Sequence, residues 1–101
     1  MTDQTVDLVV LHADDNVGTA LRALAVATAA TVSGTGGRLP SVTLRSSIPF
    51  AHKAALRSIA RGELVIKHGH PIGRATADIA AGEHVHVHNV VSLSIEQEHV
   101  S

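Results

Sequence analysis

The sequence has no cysteine, no tryptophan and no tyrosine, and its one phenylalanine is Phe50. Without cysteine there is no disulfide frame and no thiolate metal site, so the core holds by packing alone and redox usage says nothing about compartment. A single aromatic side chain builds no stacking platform, which argues against reading of RNA bases or sugars by stacking. An excess of one charge is missing too: eight Lys plus Arg stand against nine Asp plus Glu, a formal net charge of -1. That balance gives no bulk attraction to nucleic acid or to an acidic membrane. The most apolar stretch, Ala20 to Val32, is interrupted by Arg22 and falls short of the roughly 20 apolar residues that a membrane span needs. The N-terminus carries no basic segment followed by an apolar one, so no secretory signal is visible. These absences predict no nucleic-acid partner, no membrane association and a cytoplasmic location.

What remains is a chain of 101 residues, 45% hydrophobic and 17% charged. It is long enough for one core and too short for two, so residues 1–101 are expected to form a single domain. The anomaly is histidine, present eight times, at His12, His52, His68, His70, His84, His86, His88 and His99.

Val6 to Leu11 is a β-branched, nearly continuous apolar run, which predicts a first strand. The polar group His12-Ala13-Asp14-Asp15-Asn16 stops it in a turn or helix cap. Ala20 to Thr31 reads equally as helix or strand. Ser33-Gly34-Thr35-Gly36-Gly37 has no following P-loop lysine and reads as a hairpin connection needing positive φ. Val42 to Ile48 alternates apolar and polar until Ser47 and predicts a strand ended by Pro49.

The chain then repeats itself. Ala55 to Val65 aligns with Ala75 to Val85 in the frame Ala-x-x-x-Ile-Ala-x-Gly-Glu-x-Val, and Ala20 to Ala25 is an earlier copy with Ala27 in the glycine place. Each unit predicts a short helical turn closed by a left-handed glycine, then a strand such as Val65-Ile66-Lys67 or Val85-His86-Val87. Units this short build a small, loop-rich β domain rather than a solenoid.

If the second of those strands is regular, His84, His86 and His88 share one face and Val85 and Val87 the other. Residues two apart on a strand lie about 6.6–6.8 Å from each other, and two imidazoles leaning inward reach one ion at about 2.0–2.1 Å from each nitrogen. The same row also fits a plain solvated strand face.

Asp15-Asn16-Val17 with Ala20-Leu21, Ile48-Pro49 with His52-Lys53 and Ala55-Leu56, Gly69 with Ile72-Gly73-Arg74-Ala75, and Gly82-Glu83-His84-Val85-His86-Val87-His88-Asn89 together resemble the SAF domain of the altronate and galactarate dehydratase family. The resemblance covers about Leu8 to Ser92, and its closing Val-His-x-His-Asn is its most specific part. It implies the β-clip fold, mainly β with short one-turn helices. It also implies the small subunit of a sugar-acid dehydratase, a hydro-lyase working beside a large catalytic dehydratase subunit, with a homo-oligomer also open. Carried over residue by residue, it assigns His52, His86 and His88 to catalysis. Asp15, Asn16, Lys53 and Asn89 are assigned to the sugar-acid substrate, and His86 and His88 to a divalent metal, Fe2+ or Mn2+, shared with the large subunit.

The residues support parts of this directly. Neutral imidazole near pH 7 serves as ligand, base or acid. Asp15 and Asn16 also fit an N-cap turn, and His52 and Lys53 follow Pro49 at the start of a turn whose amides favour anions. Ala51 and Ala27 stand where the family usually has glycine, His84 lies outside its strict motif, and His12 and His99 match nothing in it. His68 and His70 read as surface loop. A non-catalytic SAF assembly or ligand-binding module, and the small subunit of a sulfolactate sulfo-lyase, are the alternative readings.

Overall fold

The computed structural model describes residues 5–93, which form nine strands. They are β1 (Leu8–Val9), β2 (Val17–Ala20), β3 (Ala29–Gly34), β4 (Gly37–Thr43), β5 (Lys53–Ala55), β6 (Leu64–Lys67), β7 (His70–Ala75), β8 (His84–Val85) and β9 (Val90–Ser92). Six make one sheet in the order β4-β3-β1-β2-β5-β8, and β6-β7-β9 make a second. Only β1 and β3 run parallel. The fold is therefore mainly β, as the sequence predicts. The glycine-rich segment is the β3–β4 hairpin, with Gly37 at φ 121°.

The repeat organises the whole molecule, and it has four copies. In each, a carbonyl accepts a hydrogen bond from the amide three residues on: Ala25 from Thr28, Pro49 from His52, Ala60 from Glu63, Ala80 from Glu83. The third residue of each turn has positive φ: Ala27 at 72°, Ala51 at 70°, Gly62 at 89° and Gly82 at 88°. This is the signature of a type II turn, so the units expected as helical turns are β-turns. Their amides bond across to a sister unit instead of up a helix.

The exchange is reciprocal. Ala20 bonds the turn at Ala51 and His52 while Leu44 bonds the turn at Ala27 and Thr28; Ala55 bonds Gly82 and Glu83 while Ala75 bonds Gly62 and Glu63, all at 2.8–2.9 Å. Between each pair of units lies a two-way bridge, Leu24 with Ile48 and Ile59 with Ile79. Two clasps result, each with its own core. Leu8, Leu24, Val32, Leu44 and Ile48 fill the first, and Val17, Ile59, Val65, Ile79 and Val85 the second. Both cores are aliphatic, consistent with a chain almost without aromatics.

Two of the four turns hold an alanine in the left-handed region, which costs about 1–2 kcal/mol per L-residue. Glycine there removes the clash but loses about 0.4–1 kcal/mol through a freer unfolded chain. Ala27→Gly and Ala51→Gly are each expected to stabilise the fold by about 0.5–1 kcal/mol, raising Tm by about 4–8 °C per kcal/mol. Thermal unfolding checks this, and a lower Tm for both variants contradicts it.

Candidate functional site: a histidine cluster on the edge of the six-stranded sheet

The site begins with β5 and β8, which pair as Lys53 with Val85 and Ala54 with His84. One step further along the same register His52 faces His86, and their ring centroids are 4.7 Å apart. Ala54, fully buried opposite His84, leaves room above it for imidazole. His52 Nδ1 and His84 Nε2 lie 2.9 Å apart, a hydrogen bond whose donor depends on tautomer.

The backbone does not continue as a strand past Val85. Asn89 stops it: its Oδ1 accepts from the His86 amide at 3.0 Å and its Nδ2 donates to the His84 carbonyl at 2.9 Å. The Asn89 amide also donates to the His86 carbonyl. This turn folds His88 back over His84, ring centroids 5.5 Å apart, and places His86 5.4 Å from His84. It also corrects the expected apolar face: Val85 is buried, whereas Val87 is 82% exposed at the tip of the turn. A single asparagine, bonding both flanking backbones, overrides the alternation.

Pro49 explains why His52 is free to join. In the third and fourth units the Glu63 and Glu83 carboxylates accept from the amides of Ala60 and Ala80, the first residues of their own turns. In the second unit that first residue is Pro49, which has no N–H, and His52 takes the place of the glutamate. With no amide to cap, the His52 ring reaches across to His84 and His86.

Lys53 lies beside the cluster, on one wall of an open cleft of about 260 Å3 formed with Val65, Ile72, Val85, His86 and Val90. No carboxylate pairs with it among the described residues. Burial, and then the charge of Lys67, push its ammonium below the ordinary value. The cleft is smaller than the roughly 300–1,000 Å3 pockets that enclose small ligands.

Of the residues assigned to substrate, Lys53 alone faces this region with a free polar end. Asp15 accepts from the Gly69 amide at 2.8 Å, and Asn16, fully buried, bonds the Leu64 carbonyl and the Ile66 amide. Both tie the β6–β7 hairpin to the start of β2. Asn89 builds the histidine turn. His68 is exposed in the β6–β7 turn, as expected of surface loop, whereas His70, also exposed, opens β7 and pairs with Lys67, so it is a strand residue and not loop. His12 packs on Gly69, and His99 lies outside the described residues. Sequence reasoning set His84 aside, yet it is the ring touched by all three others. The signal was present: it shares the period of His86 and His88.

His84 is held below its ordinary value of 6.5, chiefly by burial and then by His52, His86, His88 and Lys53. An imidazole with a depressed folded pKa takes up its proton first in the unfolded chain. The stability it confers is complete above about pH 6.5 and is lost as pH falls from there through the folded value. In metal-free buffer, Tm is expected to fall between about pH 7 and pH 5, and His84→Gln to flatten that slope. A Tm that rises on acidification contradicts it. Asp7 titrates elsewhere: burial alone would raise its carboxyl, but bonds from the Thr31 amide and Arg22 hold it below the ordinary range.

Two reciprocal β clasps carrying an imidazole cluster at an exposed sheet edge define a small all-β domain with a surface site. The altronate/galactarate dehydratase SAF domain family matches residues 6–93, and the chain belongs to it. It is 52% identical over 79 residues to the altronate dehydratase of Escherichia coli, 78% of this chain but 15% of that protein. It is 39% identical over 89 residues to the (2R)-sulfolactate sulfo-lyase subunit alpha of Chromohalobacter salexigens, 85% of this chain and 94% of that subunit. The subunit alpha of Paracoccus pantotrophus is 42% identical over 48 residues. The chain thus spans 15% of the length of the altronate dehydratase it matches and almost all of one lyase subunit. Among the described residues no helix is long and apolar enough to cross a membrane.

Proposed function

We propose that this chain is the small subunit of a cytoplasmic sugar-acid dehydratase of the altronate type, supplying one wall of an active site that a larger catalytic chain completes. The observation that carries the reading is the gathering of His52, His84, His86 and His88 around one exposed point beside an unpaired Lys53. The reaction breaks the C–H bond α to a carboxylate and the C–O bond at the β carbon. Water leaves, and the resulting enol becomes a 2-keto-3-deoxy acid. Lys53, on the cleft wall, attracts the carboxylate. His88, exposed at the rim, takes a proton from or returns one to the reacting atoms through its ring nitrogens. Asn89, Asp15 and Asn16 act by positioning, since their polar groups bond backbone.

The imidazole donor set fits a divalent ion. Fe2+ or Mn2+, held by histidines of this cluster together with groups of the larger chain, would supply Lewis-acid stabilisation of the enolate. A second reading, elimination of sulfite from a sulfolactate-type acid, is favoured by the 94% coverage of a subunit alpha. The test is to assay the purified chain alone, and together with a large dehydratase-like chain from the same organism, on altronate and on sulfolactate. No turnover alone, and formation of a 2-keto-3-deoxy acid by the pair, supports the proposal. Sulfite release supports the second reading, and altronate turnover by the isolated chain overturns the shared site.

A further inference from the structure

Family resemblance places the metal on His86 and His88, the pair in the closing motif. The geometry groups the rings differently. Ligand nitrogens of His52, His84 and His86 all lie within 4.8 Å of one another, and among the described residues these three are the one such group. His88 touches His84 from outside the trio.

Nitrogens about 2.0–2.1 Å from one ion sit about 3.0 Å apart at right angles and about 3.4 Å apart in a tetrahedron. The His52–His84 pair, at 2.9 Å, is already at the first of these separations. No pair has to close by more than about 1.4–1.8 Å to reach these separations, within the swing of a side chain. All three backbones are pinned. Asn89 bonds the peptide groups of both His84 and His86, while His52 donates its amide to Pro49 and accepts from Ala20. Ligands fixed in this way lose little freedom when an ion arrives. No ion pair joins a carboxylate to any of the three rings among the described residues, so the donor set is imidazole alone.

We propose that His52, His84 and His86 form a three-nitrogen site for one divalent cation on this chain, with His88 outside it. A purely imidazole set favours later divalent metals such as Zn2+, Co2+ and Ni2+, and Fe2+ to a lesser degree, over Mn2+ and Mg2+. Three nitrogens leave a position open for a substrate oxygen. The inference rests on the lyase reading only in placing the ion at the shared active site; the binding is a property of this chain.

The test titrates the chelator-treated chain with Zn2+, and with Co2+ followed by its absorption spectrum. One ion per chain is expected. His52→Ala, His84→Ala and His86→Ala are each expected to weaken it by about 100-fold or more, and His88→Ala by less than about three-fold. His84→Gln serves as the second variant, with circular dichroism reporting the fold. Absence of stoichiometric binding overturns the proposal, as does a loss in His88→Ala equal to that in His86→Ala while both His84 variants bind normally. If the ion binds as stated and the two-chain complex turns over no hydroxy acid, the lyase reading fails and this site stands. If the complex turns over altronate while the isolated chain binds no ion, the reverse holds.

Discussion

His86→Ala is expected to lower turnover by the reconstituted two-chain enzyme by about 10² to 10⁴ while the small chain stays folded. The size follows from its place. His86 touches both His52 and His84 and also lines the cleft beside Lys53, so its loss removes a group from every part of the site on this chain. The ring itself is exposed, and the turn that carries it is held by Asn89 through the backbone, so truncation leaves the fold intact. His52→Ala is expected to match it, because Ala51 keeps the positive φ that aims the His52 ring despite lacking glycine's freedom. His70→Ala, at the exposed start of β7, is expected to be silent. Initial rates on altronate check the series. Near-normal turnover in both His86→Ala and His52→Ala would mean that the cluster is a solvated surface.

The second large effect is on folding. Gly82→Ala is expected to cost about 4 kcal/mol or more, a large fraction of the about 5–15 kcal/mol that holds a domain of this size folded. Gly82 has φ 88°, and a Cβ there would lie 2.1 Å from the Thr43 carbonyl oxygen and 3.2 Å from the Arg45 amide nitrogen. Backbone on both sides cannot retreat, since the Arg45 amide donates to the Gly82 carbonyl at 2.9 Å. That bond ties the second clasp to the first. Gly62 is the internal comparison: it has φ 89° in the equivalent turn, but open space where its Cβ would go. Gly62→Ala should cost only the backbone strain, about 0.5–1 kcal/mol net of the stiffer unfolded chain. Denaturant unfolding of both variants checks this. Equal losses would mean that strain, and not the contact with Thr43, sets the effect at Gly82.

The contrast between these glycines also marks what the sequence reveals. Ala-x-x-x-Ile-Ala-x-Gly-Glu is visible as a repeat from residue identities alone, and it correctly locates three of the four units. The copy from Leu44 to His52 escapes because Pro49, Phe50 and Ala51 replace its recognisable letters, although the backbone is the same. Helical propensity then misleads. Alanine favours a helical turn locally, but each unit's amides find partners in its sister, a pairing no local rule contains. The β3–β4 hairpin is legible because glycine clusters have few other uses.

At the site, the histidine row is legible and its shape is not. Alternation puts His84, His86 and His88 on one face, but the Asn89 side chain ends the strand after Val85 and exposes Val87. His52 belongs to another unit, and its proximity to His84 follows only from the register of β5 on β8. Asp15 and Asn16, equally prominent in the sequence, precede β2, whose register sets Val17 against Ala55 at the end of β5 away from His52, and they serve the β6–β7 hairpin instead.

The central claim is that this chain supplies part of an active site that the larger chain lacks. The most direct measurement holds the large chain at fixed concentration and titrates in the small one while following 2-keto-3-deoxy acid formation. The rate should rise from near zero and saturate at one small chain per large chain, and the His52→Ala, His86→Ala double variant should bind equally well yet give no rise. A rate independent of added small chain, or full activity restored by the double variant, would contradict it.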